Sequence, residues 1–213
     1  MKFENLVEWV GAEPVFETGL LLAGNIDPME VRKQLSRWTA GGKIYQLRRG
    51  LYALAAPYQK VKTHPFLVAN RLVAGSYVSL QSALAYYDLI PEYVPVTTSV
   101  TTGRPARAQT PVGDYLYRHV QVDWFHSYVS IMLVDNQAAY IATPEKALLD
   151  LVYLEPGSDT LAYLQELRLQ NLERLDLSKI QQIVQSAHKP KLARAYPIIV
   201  QLVEEERSGY ETL

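Results

Sequence analysis

The 213-residue chain has no cysteine, so disulfides, thiol nucleophiles and cysteine-ligated zinc or iron–sulfur sites are all excluded. It has no apolar run near the eighteen or so residues that a spanning helix needs, so no membrane partner is expected. Met1 to Val10 carries two glutamates and no leader-like apolar core, which points to a cytoplasmic protein. GxxxxGK[ST], GxGxxG and GxSxG are missing too. The four histidines, His64, His119, His126 and His188, show no metal-ligand spacing, so no metal or cofactor is expected. Glu145 and Asp150 are five residues apart and should point in different directions on a helix; Glu145 reads as helix N-terminal electrostatics and Ser79 as a helix cap. These absences favour a non-enzyme.

The most informative shortage is of acid. Residues 31 to 87 hold nine Lys/Arg and not one Asp or Glu, between an N-terminal block of −5 and a C-terminal block of −5. The net charge of −1 therefore averages a +9 segment against acidic flanks. Ordinary surfaces intersperse the two signs, so this segment reads as a footprint for a polyanion, unless its bases face acids elsewhere in the fold.

Apolar positions give the first layer of organisation. Phe3, Leu6, Val7 and Val10 recur at helical spacing. A second short helix is expected from Val15 to Leu22, ended near Gly24. Asn25, Ile26, Asp27 and Pro28 form a start signal, with Asp27 as N-cap and Pro28 at the first helical position. That third helix should run to Ala40 and stop at Gly41 and Gly42. Two short runs, Ile44 to Leu47 and Leu51 to Leu54, joined by Arg48, Arg49 and Gly50, predict a β-hairpin.

Three helices closed by a small hairpin is the layout of a winged helix-turn-helix over residues 1–57. At 100° per residue, Val31, Leu35 and Trp38 share one sector of the third helix and should pack inward. The opposite sector presents Lys33, Ser36 and Arg37, with Arg32 at its edge, a face suited to base edges in a major groove. Arg48 and Arg49 at the hairpin tip should meet phosphate, with Lys43 completing the DNA-binding set. Secondary phosphate or partner contacts are expected at Lys60, Lys62, Arg71, Arg104 and Arg107.

Residues 58–65 read as a basic linker, and 66–213 as a mixed α/β domain ending in helices, so the fold class is α+β. Helices are expected over Phe66 to Ala74 and Ser79 to Asp88, and strands at Val94 to Thr102, Asp114 to Val122, Tyr128 to Val134 and Ala138 to Ala142. Gly103 to Gly113 reads as a loop. Thr143 caps a helix with Pro144 at its first position, and the chain from Asp159 onward reads as helical.

Three segments, Leu47 to Ala53, Tyr77 to Leu84 and Ile141 to Asp150, together resemble the AbiEi family, the antitoxins of abortive-infection type IV toxin–antitoxin systems. The three occur in the family's order and spacing. The resemblance implies an N-terminal domain that binds promoter DNA at repeated half-sites and represses its own system, hence a nucleoid-associated protein. It also implies a C-terminal domain that counters a nucleotidyltransferase-like toxin. The sequence departs from the family after the second motif, where glycine often follows the aromatic and here Tyr86 and Tyr87 are followed by Asp88. Two alternatives remain on residues alone: a protein-interaction module that docks an acidic partner without binding DNA, and a stand-alone regulator.

Overall fold

The computed structural model describes residues 2–22 and 27–210. The helix end expected near Gly24, and Asn25 and Ile26 of the start signal, lie outside the described residues.

The first unit begins with α1 (Phe3–Val10), followed by β1 (Phe16–Glu17) and α2 (Thr18–Leu22). A helix was expected from Val15; instead Phe16 and Glu17 pair antiparallel with Tyr52 and Leu51, and Thr18 starts the helix. α3 (Pro28–Ala40) opens as its start signal predicts, with the Asp27 carboxylate accepting from the Met29 N–H at 2.9 Å and Pro28 in the first turn. Val31, Leu35 and Trp38 are its buried face. Gly42, at φ 66, takes the left-handed turn that releases the chain into β2 (Ile44–Arg48). β2 pairs with β3 (Leu51–Leu54) across a tip at Gly50, whose φ of 84 favours glycine.

β3 is buried along its whole length, which explains its uninterrupted apolar sequence. On one face Tyr52 and Leu54 join Phe3, Leu6, Leu35, Trp38 and Ile44 in a small core. On the other, Leu51 and Ala53, with Leu47 and Val15, belong to the large core of the second unit. One strand thus carries two interiors, and the units meet through apolar side chains.

The second unit holds α4 (Pro65–Leu72), β4 (Ser76–Val78), α5 (Leu80–Tyr86), β5 (Val96–Thr101), β6 (Ala106–Thr110), β7 (Gly113–His119), β8 (Tyr128–Met132) and β9 (Ala138–Ala142). The helices α6 (Pro144–Leu154), α7 (Leu161–Glu166), α8 (Leu177–Ala187) and α9 (Pro190–Tyr210) complete it, so the fold is mixed α+β and closes in helices. The six strands form one mixed sheet in the order β6-β7-β5-β4-β9-β8. β4 runs parallel to β9 and β5 to β7, and the remaining neighbours are antiparallel.

β6 lies within the stretch expected to be a loop. Its glycines and prolines sit at the ends, and Ala106 to Thr110 pairs with Tyr117 to Gly113 as an edge strand. The segment between the units is tied down as well. The Gln137 side chain accepts from the His64 N–H at 2.8 Å and donates to the Lys62 carbonyl at 2.9 Å, and Thr63 is buried. At the end of α5, Asp88 holds φ 58, a left-handed conformation that glycine adopts without penalty. Its carbonyl is held there by the side chains of Gln170 and Asn171.

Candidate nucleic-acid interface

The buried side of α3 leaves Arg32, Lys33, Ser36 and Arg37 on its solvent face, all four exposed. Lys33 lies 4.0 Å from Glu30 in an exposed pair, a contact that contributes at most a few tenths of a kcal/mol, about 0.3–0.5, and leaves the ammonium available. Lys43 is half-buried, with its ammonium 4.7 Å above the Phe3 ring. It packs on the first core as a cation over an aromatic face rather than standing free.

The two arginines of the hairpin tip part company. Arg49 and its neighbour Gly50 form the tip, and Arg49 is exposed. A register shift between Gln46 and Arg48 turns Arg48 elsewhere. Its guanidinium donates to the Arg71 carbonyl through Nε at 3.3 Å and Nη2 at 3.2 Å, and through Nη1 to the Arg49 carbonyl at 3.1 Å. Glu17 is 3.8 Å away. Arg48 therefore clasps the hairpin to α4 while keeping an exposed guanidinium, and Arg49 stands exposed at the tip.

Among the secondary candidates, Arg71 supplies a carbonyl to that clasp while its side chain is exposed. Arg104 and Arg107 are exposed on and beside β6, and β6 packs against β2, so these cations extend the hairpin's flank. Lys60 and Lys62 are exposed on the segment between the units. Of the nine bases in residues 31–87 all but the half-buried Lys43 are thus exposed, and the salt bridges of the described residues take only Lys33 and Arg48.

Between the α1–β1 connection and the sheet lies an open groove of about 1040 Å³. Trp9, Arg71, Phe125, Tyr128, Gln137 and Tyr140 are among its walls.

The polar constellation that sequence reasoning missed is internal. Lys146 and Asp150, both at 0% exposure, form an ion pair one turn apart on α6. Asp150 also accepts from the Tyr77 hydroxyl at 3.0 Å, the Ser79 hydroxyl at 2.6 Å and the Trp124 indole N–H at 2.6 Å. Lys146 donates to the Tyr77 hydroxyl at 2.9 Å and lies 4.1 Å above the Trp124 ring. Ser79, expected as a helix cap, makes no side-chain cap bond and spends its hydroxyl on Asp150 instead. Burial lowers the Lys146 ammonium's affinity for its proton and raises that of the Tyr77 hydroxyl, and the nearby Asp150 charge raises both.

Glu145 diverges from Asp150, as the five-residue spacing implies. It is buried and accepts from the Asp176 N–H at 3.2 Å, at the start of α8. The signal for the cluster was present in the sequence: Lys146 and Asp150 stand at i, i+4 in a helix whose other residues from Ala147 to Val152 are apolar on every side, so both charges must go inside. Among the described residues no group of three His, Cys, Asp or Glu is placed to hold a metal ion. Nor is any described helix long and apolar enough to cross a membrane.

No protein-family model matches the chain, and no curated protein matches it. Among solved structures, the chain is similar to the crystal structure of the RV2827C protein from Mycobacterium tuberculosis, with a TM-score of 0.54 and 16% sequence identity. The match covers 92% of this chain and 75% of that one, so the likeness extends through both units and is a likeness of fold.

Proposed function

We propose that the chain is a sequence-specific DNA-binding transcriptional autorepressor, in which residues 1–57 act as a winged helix-turn-helix. The observation that carries this reading is the solvent face of α3, where Arg32, Lys33, Ser36 and Arg37 are all exposed, with Arg49 exposed at the tip of the hairpin that follows. Arg, Lys and Ser on an exposed helix read base edges in the major groove, and a cationic hairpin beside it positions the helix on phosphate. Arg104 and Arg107 on the flank of β2 add phosphate contacts from the second unit, which operates without metal, cofactor or catalysis.

The second unit serves as the antitoxin part of a type IV toxin–antitoxin system that counters a nucleotidyltransferase-like toxin. Its support is the resemblance of the three ordered motifs. Two of these, around Tyr77–Leu84 and Ile141–Asp150, supply the Tyr77, Ser79, Lys146 and Asp150 cluster and therefore read as determinants of the unit's interior.

Footprinting on the promoter upstream of the encoding gene tests the first part, and co-expression with the adjacent open reading frame, followed by growth, tests the second. Protection of repeated half-sites and rescue of growth are expected. A protein that ignores duplex DNA while co-eluting with a neighbouring gene's product would instead favour a protein-interaction module, for which the groove at Trp9 and Tyr140 offers a surface.

A further inference from the structure

The two edges of the six-stranded sheet are built differently. At one edge, β6 carries Arg107 within the strand, follows Arg104 and Pro105, and is succeeded by Pro111, so charge and proline at both ends oppose the addition of another strand. At the other edge, β8 has none of these. From Phe125 to Val134 there is no Lys, Arg, Asp, Glu or Pro, and Val129, Met132 and Val134 are 43%, 69% and 67% exposed. β9 is its sole strand neighbour among the described residues.

The ladder fixes which main-chain groups are unpaired. Leu133 donates to the Gln137 carbonyl and Thr143 to the Ser127 carbonyl, so the odd-numbered residues of β8 bond to β9. Tyr128, Ser130 and Met132 then direct their N–H and C=O groups outward, away from the sheet. A long, uncharged, apolar edge with free donors and acceptors is a template for one more strand.

We propose that a second copy of this chain supplies that strand, β8 pairing antiparallel with β8 about a two-fold axis at Ser130. The strand is complementary to itself in that register. Ser130 faces Ser130 with reciprocal main-chain bonds, Tyr128 faces Met132, and Val129 faces Ile131. The aromatic ring beside the thioether is a favourable contact, and no like charges meet across the seam because the strand carries none. The pairing is isologous and closes on itself, so it yields dimers rather than filaments. Five residues a side contribute well under the roughly 1,200–2,000 Å² of a stable interface. The dimer is accordingly reversible in free solution and strengthened where two copies are held close together. The proposal stands on the sheet edge alone and does not rest on DNA binding.

The absence of native cysteine makes the test direct. Residues directly opposite in an antiparallel pair lie within disulfide reach, so Ser130→Cys should form a covalent dimer under mild oxidation at least about tenfold faster than Tyr93→Cys, an exposed position off the edge. Adding Met132→Lys to Ser130→Cys should slow the cross-link to the Tyr93→Cys rate, with circular dichroism verifying that all variants fold. Equal rates for Ser130→Cys and Tyr93→Cys overturn the proposal. So does protection of the β8 amides by a different protein while the chain itself stays uncross-linked. The measurement uses protein without DNA, so failure here and failure to footprint a promoter are separate results.

Discussion

Lys146 and Asp150, one turn apart on α6, form an ion pair that no solvent reaches, with Tyr77, Ser79 and Trp124 satisfying the rest of the carboxylate. Removing one partner strands a buried charge. Lys146→Met is expected to cost about 3–5 kcal/mol in urea unfolding. The double variant Lys146→Met/Asp150→Leu should recover part of that loss, because no lone charge remains; it recovers only part, because Tyr77, Ser79 and Trp124 lose their acceptor. Equal midpoints for the single and double variants would show that the two groups are not energetically coupled.

Alkaline pH should destabilise the protein through its interior tyrosines. Burial raises Tyr77, Tyr115 and Tyr117 well above the ordinary tyrosine range and Tyr87 to about 12. In the unfolded chain these hydroxyls ionise near pH 10, so above that point the unfolded state has shed protons that the folded state keeps. Stability is full below 10 and falls as pH rises further, by about 1.4 kcal/mol per pH unit for each fully buried tyrosine. Lys146, lowered by burial, contributes a slope of the opposite sign below its ordinary value of 10.5, but it is one group against four. Urea midpoints at successive pH values, followed beside tyrosinate absorbance, check this: several of the fifteen tyrosines should ionise only on unfolding.

Arg48 and Arg49 adjoin in sequence and should behave differently. Arg49→Ala is expected to weaken binding to all duplexes and to reduce the log–log salt slope by about 0.9, the loss of one phosphate contact. Arg48→Ala breaks the clasp to the Arg71 carbonyl, so it should lower stability by about 1 kcal/mol and leave the salt slope unchanged. Lys33→Ala or Arg37→Ala should cost about 1–3 kcal/mol at particular bases only. Gel shifts over a salt series, with operator variants, separate the three classes; identical slopes for the Arg48 and Arg49 variants would remove the distinction.

At Asp88 the backbone, not the side chain, sets the tolerance. With φ at 58, Asp88→Gly should change stability by less than about 1 kcal/mol, since relief of left-handed strain offsets the entropy of glycine. Asp88→Val, β-branched in that region, should cost about 1–2 kcal/mol more than the glycine variant in thermal unfolding. A valine variant as stable as glycine would mean that the turn rearranges.

Signals that act over one or two turns of chain were readable in advance. Asp27 and Pro28 mark the start of α3, Thr143 and Pro144 that of α6, and the strand at Ala138 to Ala142 has the bounds its residues suggest. What escaped depends on partners far along the chain. Ser79 looks like a cap until Asp150, 71 residues later, claims its hydroxyl. Phe16 and Glu17 look helical until Tyr52 and Leu51 pair with them. The contact of Arg48 with the Arg71 carbonyl at the end of α4, 23 residues on, was equally invisible in the local sequence. The cationic face of α3 was legible because it depends only on helical period and on α3 having an inside.

β3 separates two interiors, and that limits how the protein can be divided or diversified. An N-terminal unit that lends Val15, Leu47, Leu51 and Ala53 to its neighbour's core is not a detachable cassette. A cut at residue 58 would leave greasy surface on both pieces, and a chimera that grafts another N-terminal unit onto the same second half must import a hairpin with matching teeth on its back. If α3 reads DNA as proposed, new target sequences are therefore reached by changing its outward residues in place, while the hairpin behind them stays married to the partner it was shaped against.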